Sequence, residues 1–224
     1  MRICAVSDLH GHLPDVPRCD LLLIGGDICP TADHDPLYQA SWLDTNFRAW
    51  LDQIPARHIV GVCGNHDFIF EQLPEAVPIA LRWTYLQDSG CEIEKYKVWG
   101  TPWQPWFFNW AFNLEEEDLE TRWAMIPKDT DILVLHGPPR GYGDQVQRGS
   151  HIENTGSPSL TERIKRIQPK LAIFGHIHEG RGEYRLGKTI LANVSILDEE
   201  YRPIHPVWTC ELGGDSRGTS EPEA

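Results

Sequence analysis

The stretch IVGVCGNHDF, Ile59 to Phe68, decides how the chain is read. Ile59, Val60 and Val62 read as a buried strand. The chain then turns at once to Asn65, His66 and Asp67, with Gly61 and Gly64 before them. A turn alone would account for Asn, Asp and Gly in a row, since these residues populate turns for local reasons. The question is whether other strands of the chain end in the same way.

They do. RICAVSD (2–8) runs into Asp8-Leu9-His10, and CDLLLIGGD (19–27) ends on Gly25-Gly26-Asp27. DILVLHG (131–137) delivers His136, and KLAIFGHIH (170–178) delivers His176 and His178. With YKVWGTP (96–102) and KTILANVS (188–195), these runs have strand length. Several are continuously apolar, as strands covered on both faces must be. Helical patterns lie between them. Residues 35–54 place Leu43, Phe47, Trp50, Leu51 and Ile54 on one face before Pro55. In residues 113–127, Asn113 is a candidate cap, acidic side chains fill the first turn as a solvated face, and Pro127 follows the end. Residues 157–169 set Leu160, Ile164 and Ile167 on one face before Pro169. Strands alternating with helices predict an α/β domain with a largely parallel sheet. In such a sheet the loops at the carboxyl ends of the strands meet at one edge. Turn chemistry explains one polar strand end. It does not explain five, because polar groups against a core cost free energy unless satisfied.

Composition narrows the partners. The chain has 224 residues, of which 41% are hydrophobic, which suits one domain, taken as residues 1–212. The last residues, 213–224, carry no large apolar side chain and are expected to be a disordered acidic tail. A formal net charge of −13 without a Lys/Arg run disfavours a nucleic acid polymer. A small phosphate compound remains compatible if metal ions carry the positive charge. The six cysteines form no CxxC pair, and Cys4, Cys63 and Cys210 fall inside strand-like runs, as free thiols of a reducing compartment would. MRICAVSDLH enters a strand directly, without a signal-peptide pattern, and no apolar run has the length of a membrane span. The expectation is a soluble cytoplasmic protein with no membrane partner. Oligomeric state is not legible in the sequence.

The residue types then select the chemistry. Asp8, His10, Asp27, Asn65, His136, His176 and His178 form a mixed oxygen and imidazole set without cysteine, which disfavours a structural zinc site. Seven ligands exceed the needs of one ion and suit two ions about 3.5–4 Å apart that share a carboxylate.

The motifs Asp8-x-His10, Gly26-Asp27, Gly64-Asn65-His66-Asp67, His136 and Gly175-His176-x-His178 resemble those of the calcineurin-like metallophosphoesterases, in the same order. GTPWQPWFFNWAFN (100–113), LHGPP (135–139) and FGHIHEG (174–180) also resemble the metallophosphoesterase-domain branch that includes vertebrate brain forms and bacterial relatives, over about residues 1 to 212. The resemblance implies a two-sheet β-sandwich flanked by helices, with the active site at the carboxyl ends of the strands, and hydrolysis of phosphodiesters. It implies that Asp8, His10, Asp27 and His178 hold one divalent ion and that Asp27, Asn65, His136 and His176 hold the other, with Asp27 as the bridge. Manganese is the first expectation, and iron, zinc or nickel suit the same ligands. Two ions lower the pKa of a shared water to supply a hydroxide and bind the phosphoryl oxygens. His66, beside Asn65 but not needed as a ligand, is placed to protonate the leaving oxygen or bind a phosphoryl oxygen, and Asp67 is expected to keep its imidazole charged and oriented.

Other residues carry weaker assignments. His12, Arg140 and Asn193 are candidate substrate contacts, each rivalled by an ordinary surface, turn or supporting role. Trp103, Trp106, Phe107, Phe108, Trp110 and Phe112 are assigned to packing ahead of a nucleobase platform. His34, His58, His151 and His205 have no partner motif and are assigned to surface or core. The leading functional reading is a binuclear phosphoesterase acting on small phosphodiesters such as cyclic nucleotides. The alternatives are a phosphomonoesterase or protein phosphatase, or a regulatory protein that binds nucleotide and turns it over slowly.

Overall fold

Apolar residues at every second position of the central strands set two sheets face to face. The computed structural model describes residues 1–213, so the expected tail, apart from Gly213, lies outside the described residues. One sheet runs in the order Trp208–Glu211, Arg2–Val6, Cys19–Gly25, Ala56–Val62, Thr84–Tyr85. The other runs Gly182–Leu186, Thr189–Asn193, Leu171–Phe174, Ile132–Leu135, Tyr96–Thr101, Ser89–Ile93. Inner neighbours pair in parallel, for example Val6 with Ile24 and Phe174 with Asn193. Antiparallel strands close one edge of the first sheet and both edges of the second. All seven strand runs expected from the sequence are strands. The edge strands Ser89–Ile93 and Gly182–Leu186 escape sequence reading because they alternate partly buried and exposed residues and lack an apolar run, whereas Trp208–Glu211 is the strand-like run expected around Cys210.

Between the sheets lie Ile3, Ala5, Leu21, Leu23, Val60 and Val62 from one side and Val98, Ile132, Val134, Leu171, Ile173 and Ala192 from the other. Each buried aliphatic side chain of this kind contributes about 1.5–3 kcal/mol. The opposite faces of the same strands, with Cys4, Leu22, Ile24, Leu133 and Phe174, cluster with buried helical residues that include Leu43, Phe47, Trp50, Trp123, Leu160 and Ile164. The first helical stretch is continuous, Pro36–Trp42 and Arg48–Gln53 being joined by a π turn over Leu43–Phe47. Its start is fixed by Asp35, whose Oδ1 accepts from the N–H groups of Leu37 and Tyr38. Ser157 caps the helix Pro158–Ile167 by accepting from Leu160 N.

Asn113 does not cap the acidic helix. Glu116–Met125 begins after Glu115 without a side-chain cap, and Glu116, Glu117 and Asp118 in its first turn complement the helix dipole. Asn113 instead donates from Nδ2 to the carbonyls of Phe107 and Phe108 and accepts from Gln104 Nε2, closing the aromatic loop that precedes it.

The two sheets are stitched together where the strands of the first motif end. Ser7 N donates to Val194 O at 3.0 Å and Ile196 N donates to Ser7 O at 3.0 Å, so the loops after both sheets open onto one place. Among the described residues, no helix is long and apolar enough to cross a membrane.

Candidate active site

All seven strand-end residues, together with His66, converge at this shared edge, and seven of these eight are almost wholly buried, His176 being partly so. Four of them, Asp8, His10, Asp27 and His176, have left-handed backbones with φ of 55°, 41°, 53° and 66°. Such strain in non-glycine residues persists only where surrounding contacts over-determine it. Here Asp8 N donates to Gly26 O, His10 N to Asp27 O, and His176 N to Asp8 Oδ1 at 2.9 Å. The approach is close enough to require glycine at two positions. A Cβ on Gly175 would lie 2.2 Å from Asp8 Oδ2, and one on Gly64 would lie 2.3 Å from Asp27 Oδ1.

Three overlapping groups bring ligand atoms within 4.8 Å of one another: Asp8, His10 and His178; His10, Asp27 and His66; and Asp8, Asp27 and His136. Asn65 joins the cluster through Oδ1, which lies 2.8 Å from His136 Nε2 and 2.8 Å from His176 Nδ1. Two of the imidazoles are oriented from behind. His136 Nδ1 meets Gly25 O at 2.9 Å and His178 Nδ1 meets Asp198 O at 2.8 Å. A carbonyl only accepts, so each Nδ1 carries the proton and each Nε2 presents a lone pair to the cluster, the arrangement typical of metal-ligating histidines.

The electrostatics ask for positive charge. Asp8 Oδ2 and both ring nitrogens of His10 are buried without a hydrogen-bond partner among the described residues. His136 Nε2, with its lone pair, faces the acceptor Asn65 Oδ1. Burial, and then the Asp67 and Asp8 carboxylates, push Asp27 well above the usual carboxylate range. Burial pushes His10 and His176 well below the usual imidazole range and lowers His136 as well. Neutral imidazoles and crowded carboxylate oxygens, with Asp8 Oδ2 and both His10 nitrogens unpaired, are what divalent cations bind. The donor set fits such ions.

His66 lies on the cleft as expected, but it is not supported as expected. Its N–H donates to Asp27 Oδ1 at 2.7 Å, and its carbonyl accepts from Gln39 Nε2 at 2.7 Å. Its ring packs against Trp110, the two centroids 4.2 Å apart. Asp67 does not orient it. The Asp67 carboxylate is fully buried and accepts from the backbone N–H groups of Ile28, Cys29 and Gly64, so it ties the Asp27 loop to the Asn65 loop. Oxygens engaged by three backbone donors are not free for an imidazole. With no anion on the ring, burial and then neighbouring His34 push His66 down to about 3, so the neutral imidazole is its resting form in the metal-free protein.

A cleft of about 550 Å³ opens from the cluster. His10, Asp27, Asn65, His66, His176 and His178 form its floor. Trp106, Phe107 and Trp110 line it too, together with Arg140 and the hairpin Gln145–Arg148/His151–Asn154. The aromatic run thus divides. Trp103 and Phe112 are core residues, as assigned, whereas Trp106 is 54% and Phe107 40% exposed. Asn113 anchors the backbone of the loop that carries the exposed rings through the Phe107 and Phe108 carbonyls. Of the other candidates, Arg140 lines the cleft, but His12 is exposed and outside it. Asn193 is fully buried behind the His176–His178 loop, where it donates to Ile177 O at 2.7 Å; it supports the loop and does not meet substrate. His34, Gln39 and Tyr201 were not assigned to the site from the sequence. Tyr201 lines the cleft and packs its ring 4.9 Å from His10.

Similarity to known proteins agrees with this geometry. The chain is 31% identical to human metallophosphoesterase domain-containing protein 1, over 94% of this chain and 71% of that one, and to its mouse counterpart to the same extent. Its fold is similar to that of the protein TT1561 of Thermus thermophilus, with a TM-score of 0.56 and 17% identity over 93% and 97% of the two chains. A phosphopantetheinyl hydrolase of Mycobacterium tuberculosis gives a TM-score of 0.56 and 14% identity over 89% and 90%. Residues 1–180 match the calcineurin-like phosphoesterase family, a span that runs from the first strand through Asp8, Asp27, Asn65 and His136 to His178, and the chain belongs to that family.

Proposed function

We propose that the protein is a binuclear metal phosphodiesterase acting on small diesters, one ester group of which is planar or apolar. The observation that carries this reading is the cleft beyond His66, walled by Trp106, Phe107 and Trp110 and bordered by Arg140. A phosphomonoester would fill only the polar floor, whereas a diester has a second substituent for the aromatic wall. Stacking on an aromatic side chain is worth about 1–3 kcal/mol per base, which makes a nucleotide one member of the favoured class.

In this reading Asp8, His10, Asp27 and His178 would hold one divalent ion and Asp27, Asn65, His136 and His176 the other, with manganese the first choice. Bound there, such ions would supply a water of lowered pKa and neutralise charge on the phosphoryl oxygens. The protein's own groups do the rest. Asp27 is held in place by the His66 N–H, and Asn65 Oδ1 lies 2.8 Å from His176 Nδ1. His66 donates from Nε2 to the leaving oxygen as negative charge develops on it. Arg140 forms no ion pair among the described residues and is free to meet a phosphate oxygen. The six free thiols, four of them buried, support a reducing compartment such as the cytoplasm as the place of action.

The test compares a diester with its corresponding monoester in the presence of Mn²⁺, for the wild type and Trp110→Ala. The diester is expected to be preferred, and Trp110→Ala to raise KM by roughly 10-fold for an aryl or nucleoside diester but not for a dimethyl one. Preference for the monoester, or equal effects on both diesters, refutes the reading.

A further inference from the structure

His34 has no motif around it in the sequence, yet its Nε2 lies 3.1 Å from His66 Nδ1. It is half-buried in the loop that leads into the first helix. That loop is held firmly. Asp33 Oδ1 accepts from Asp35 N at 2.9 Å, and Asp35 caps the helix. Five residues beyond His34, Gln39 reaches back to the His66 carbonyl and also accepts from Ile69 N. One short segment therefore grips His66 twice, at its backbone and at its ring. Trp110 and Phe68 pack against the His34 ring, with centroids 5.3 Å and 5.2 Å away, and limit where it can turn.

Two ring nitrogens at this distance share one proton, and one ring must donate while the other accepts. The choice decides what His66 offers to the cleft. If His66 Nδ1 held the proton, Nε2 would carry a bare lone pair. A ring nitrogen of His66 already lies within 4.8 Å of a His10 nitrogen and an Asp27 oxygen, so a bare Nε2 would be one more acceptor among acceptors and a rival ligand for a cation. If His34 holds the proton, Nε2–H of His66 faces the cleft as a donor. We propose that His34 is a positioning residue that donates from Nε2 to His66 Nδ1, fixing His66 in the tautomer that presents Nε2–H to the substrate and keeping it out of the metal shell.

The kinetic consequence rests on the phosphodiesterase reading, but the tautomer does not. Long-range ¹H–¹⁵N spectra of the histidine rings report which nitrogen is protonated, in the metal-free and zinc-loaded protein alike, with His66→Gln assigning the His66 signals. The wild type is expected to show His66 protonated at Nε2. His34→Gln, whose amide can donate, should keep that state. His34→Glu, which near neutral pH can only accept, should move the proton to Nδ1 and raise the zinc affinity of the His10–Asp27 cluster. On an alkyl-leaving diester, His34→Ala and His34→Glu should lower kcat by about 10–100-fold, the range for losing the partner that orients a functional histidine. KM should stay near its wild-type value, bis-nitrophenyl phosphate should change little, and His34→Gln should restore the rate. A His66 proton on Nδ1 in the wild type, or a tautomer unmoved by His34→Glu, overturns the proposal. The expected tautomers without turnover of any diester would uphold the role of His34 and overturn the phosphodiesterase reading instead.

Discussion

Replacing Asp67 by Asn separates two accounts of this residue. In one it orients His66; in the structure it clamps two loops. Its Oδ1 accepts from Ile28 N at 2.9 Å and Cys29 N at 2.8 Å, and its Oδ2 accepts from Gly64 N at 2.8 Å. A proton on either oxygen would meet an N–H, so the ionised form is the one that fits, although burial raises its pKa. An amide can satisfy Ile28 and Cys29 through its oxygen, but its NH₂ then confronts the Gly64 N–H. The loss of one charge-assisted hydrogen bond is worth about 1.5–3 kcal/mol, and a buried N–H left unpaired about 1–3 kcal/mol, so roughly 3–5 kcal/mol of stability is at stake. For a domain of this size each kcal/mol corresponds to about 2–4 °C, and the melting temperature should fall by roughly 10 °C.

The catalytic signature should match a clamp. Asp67 joins the segment after Asp27 to the segment before Asn65, so its loss should loosen both and lower metal content. Turnover of an alkyl diester and of bis-nitrophenyl phosphate should then fall by the same factor. Thermal melts, metal analysis and the two substrates together decide the matter. A variant that melts within a degree or two of wild type, keeps its metals and loses only the alkyl diester would show that Asp67 acts through His66.

Other perturbations test the rest of the site. Mn²⁺ added to the metal-free protein at about 100 times its Kd should stabilise it by about 2.7 kcal/mol, a rise in melting temperature of roughly 5–10 °C; Asp27→Asn should lose most of that rise and of the bound metal. His66→Gln should lower kcat for an alkyl diester by about 10²–10³-fold, as loss of one preorganised donor does, and affect bis-nitrophenyl phosphate much less, with metal content unchanged. Gly175→Ala should abolish metal binding, read by metal analysis, because its Cβ would fall 2.1 Å from Ser7 Oγ and 2.2 Å from Asp8 Oδ2.

The parts of this molecule legible in its sequence are those that one segment specifies by itself. Continuous apolar runs such as LLLI and ILVL declare buried strands, and polar tips on five of them declare a shared edge. The parts that were misread depend on a partner far along the chain. Asp67 is adjacent to His66, and adjacency suggested a dyad; its real partners, Ile28 and Cys29, lie 39 and 38 residues away. Asn113 sits where a helix cap belongs, but Gln104 and two loop carbonyls claim its side chain. Trp106 and Phe107 are apolar enough for a core. No local pattern announces that the loop carrying them is tied by polar bonds and leaves their rings in the cleft.

The left-handed residues carry the same lesson into energetics. Asp8, His10, Asp27 and His176 each hold a conformation that costs of order 1–3 kcal/mol outside glycine. Asp and His enter this region more readily than most non-glycine residues, but it remains uncommon for them. It is tolerated because each such residue is held by contacts supplied from another strand end: Gly26 O for Asp8, Asp27 O for His10, and Asp8 Oδ1 for His176. Asp27 in turn receives the His66 N–H. The loops are thus mutually braced, and none would keep its geometry alone. A left-handed residue bends the chain sharply, and Asp8 and His10, two residues apart, both contribute to one cluster. The strain is the local consequence of packing so many polar side chains onto strand tips, and the bracing is why a single-residue change at Asp67 or Gly175 should disturb the whole set rather than one member of it.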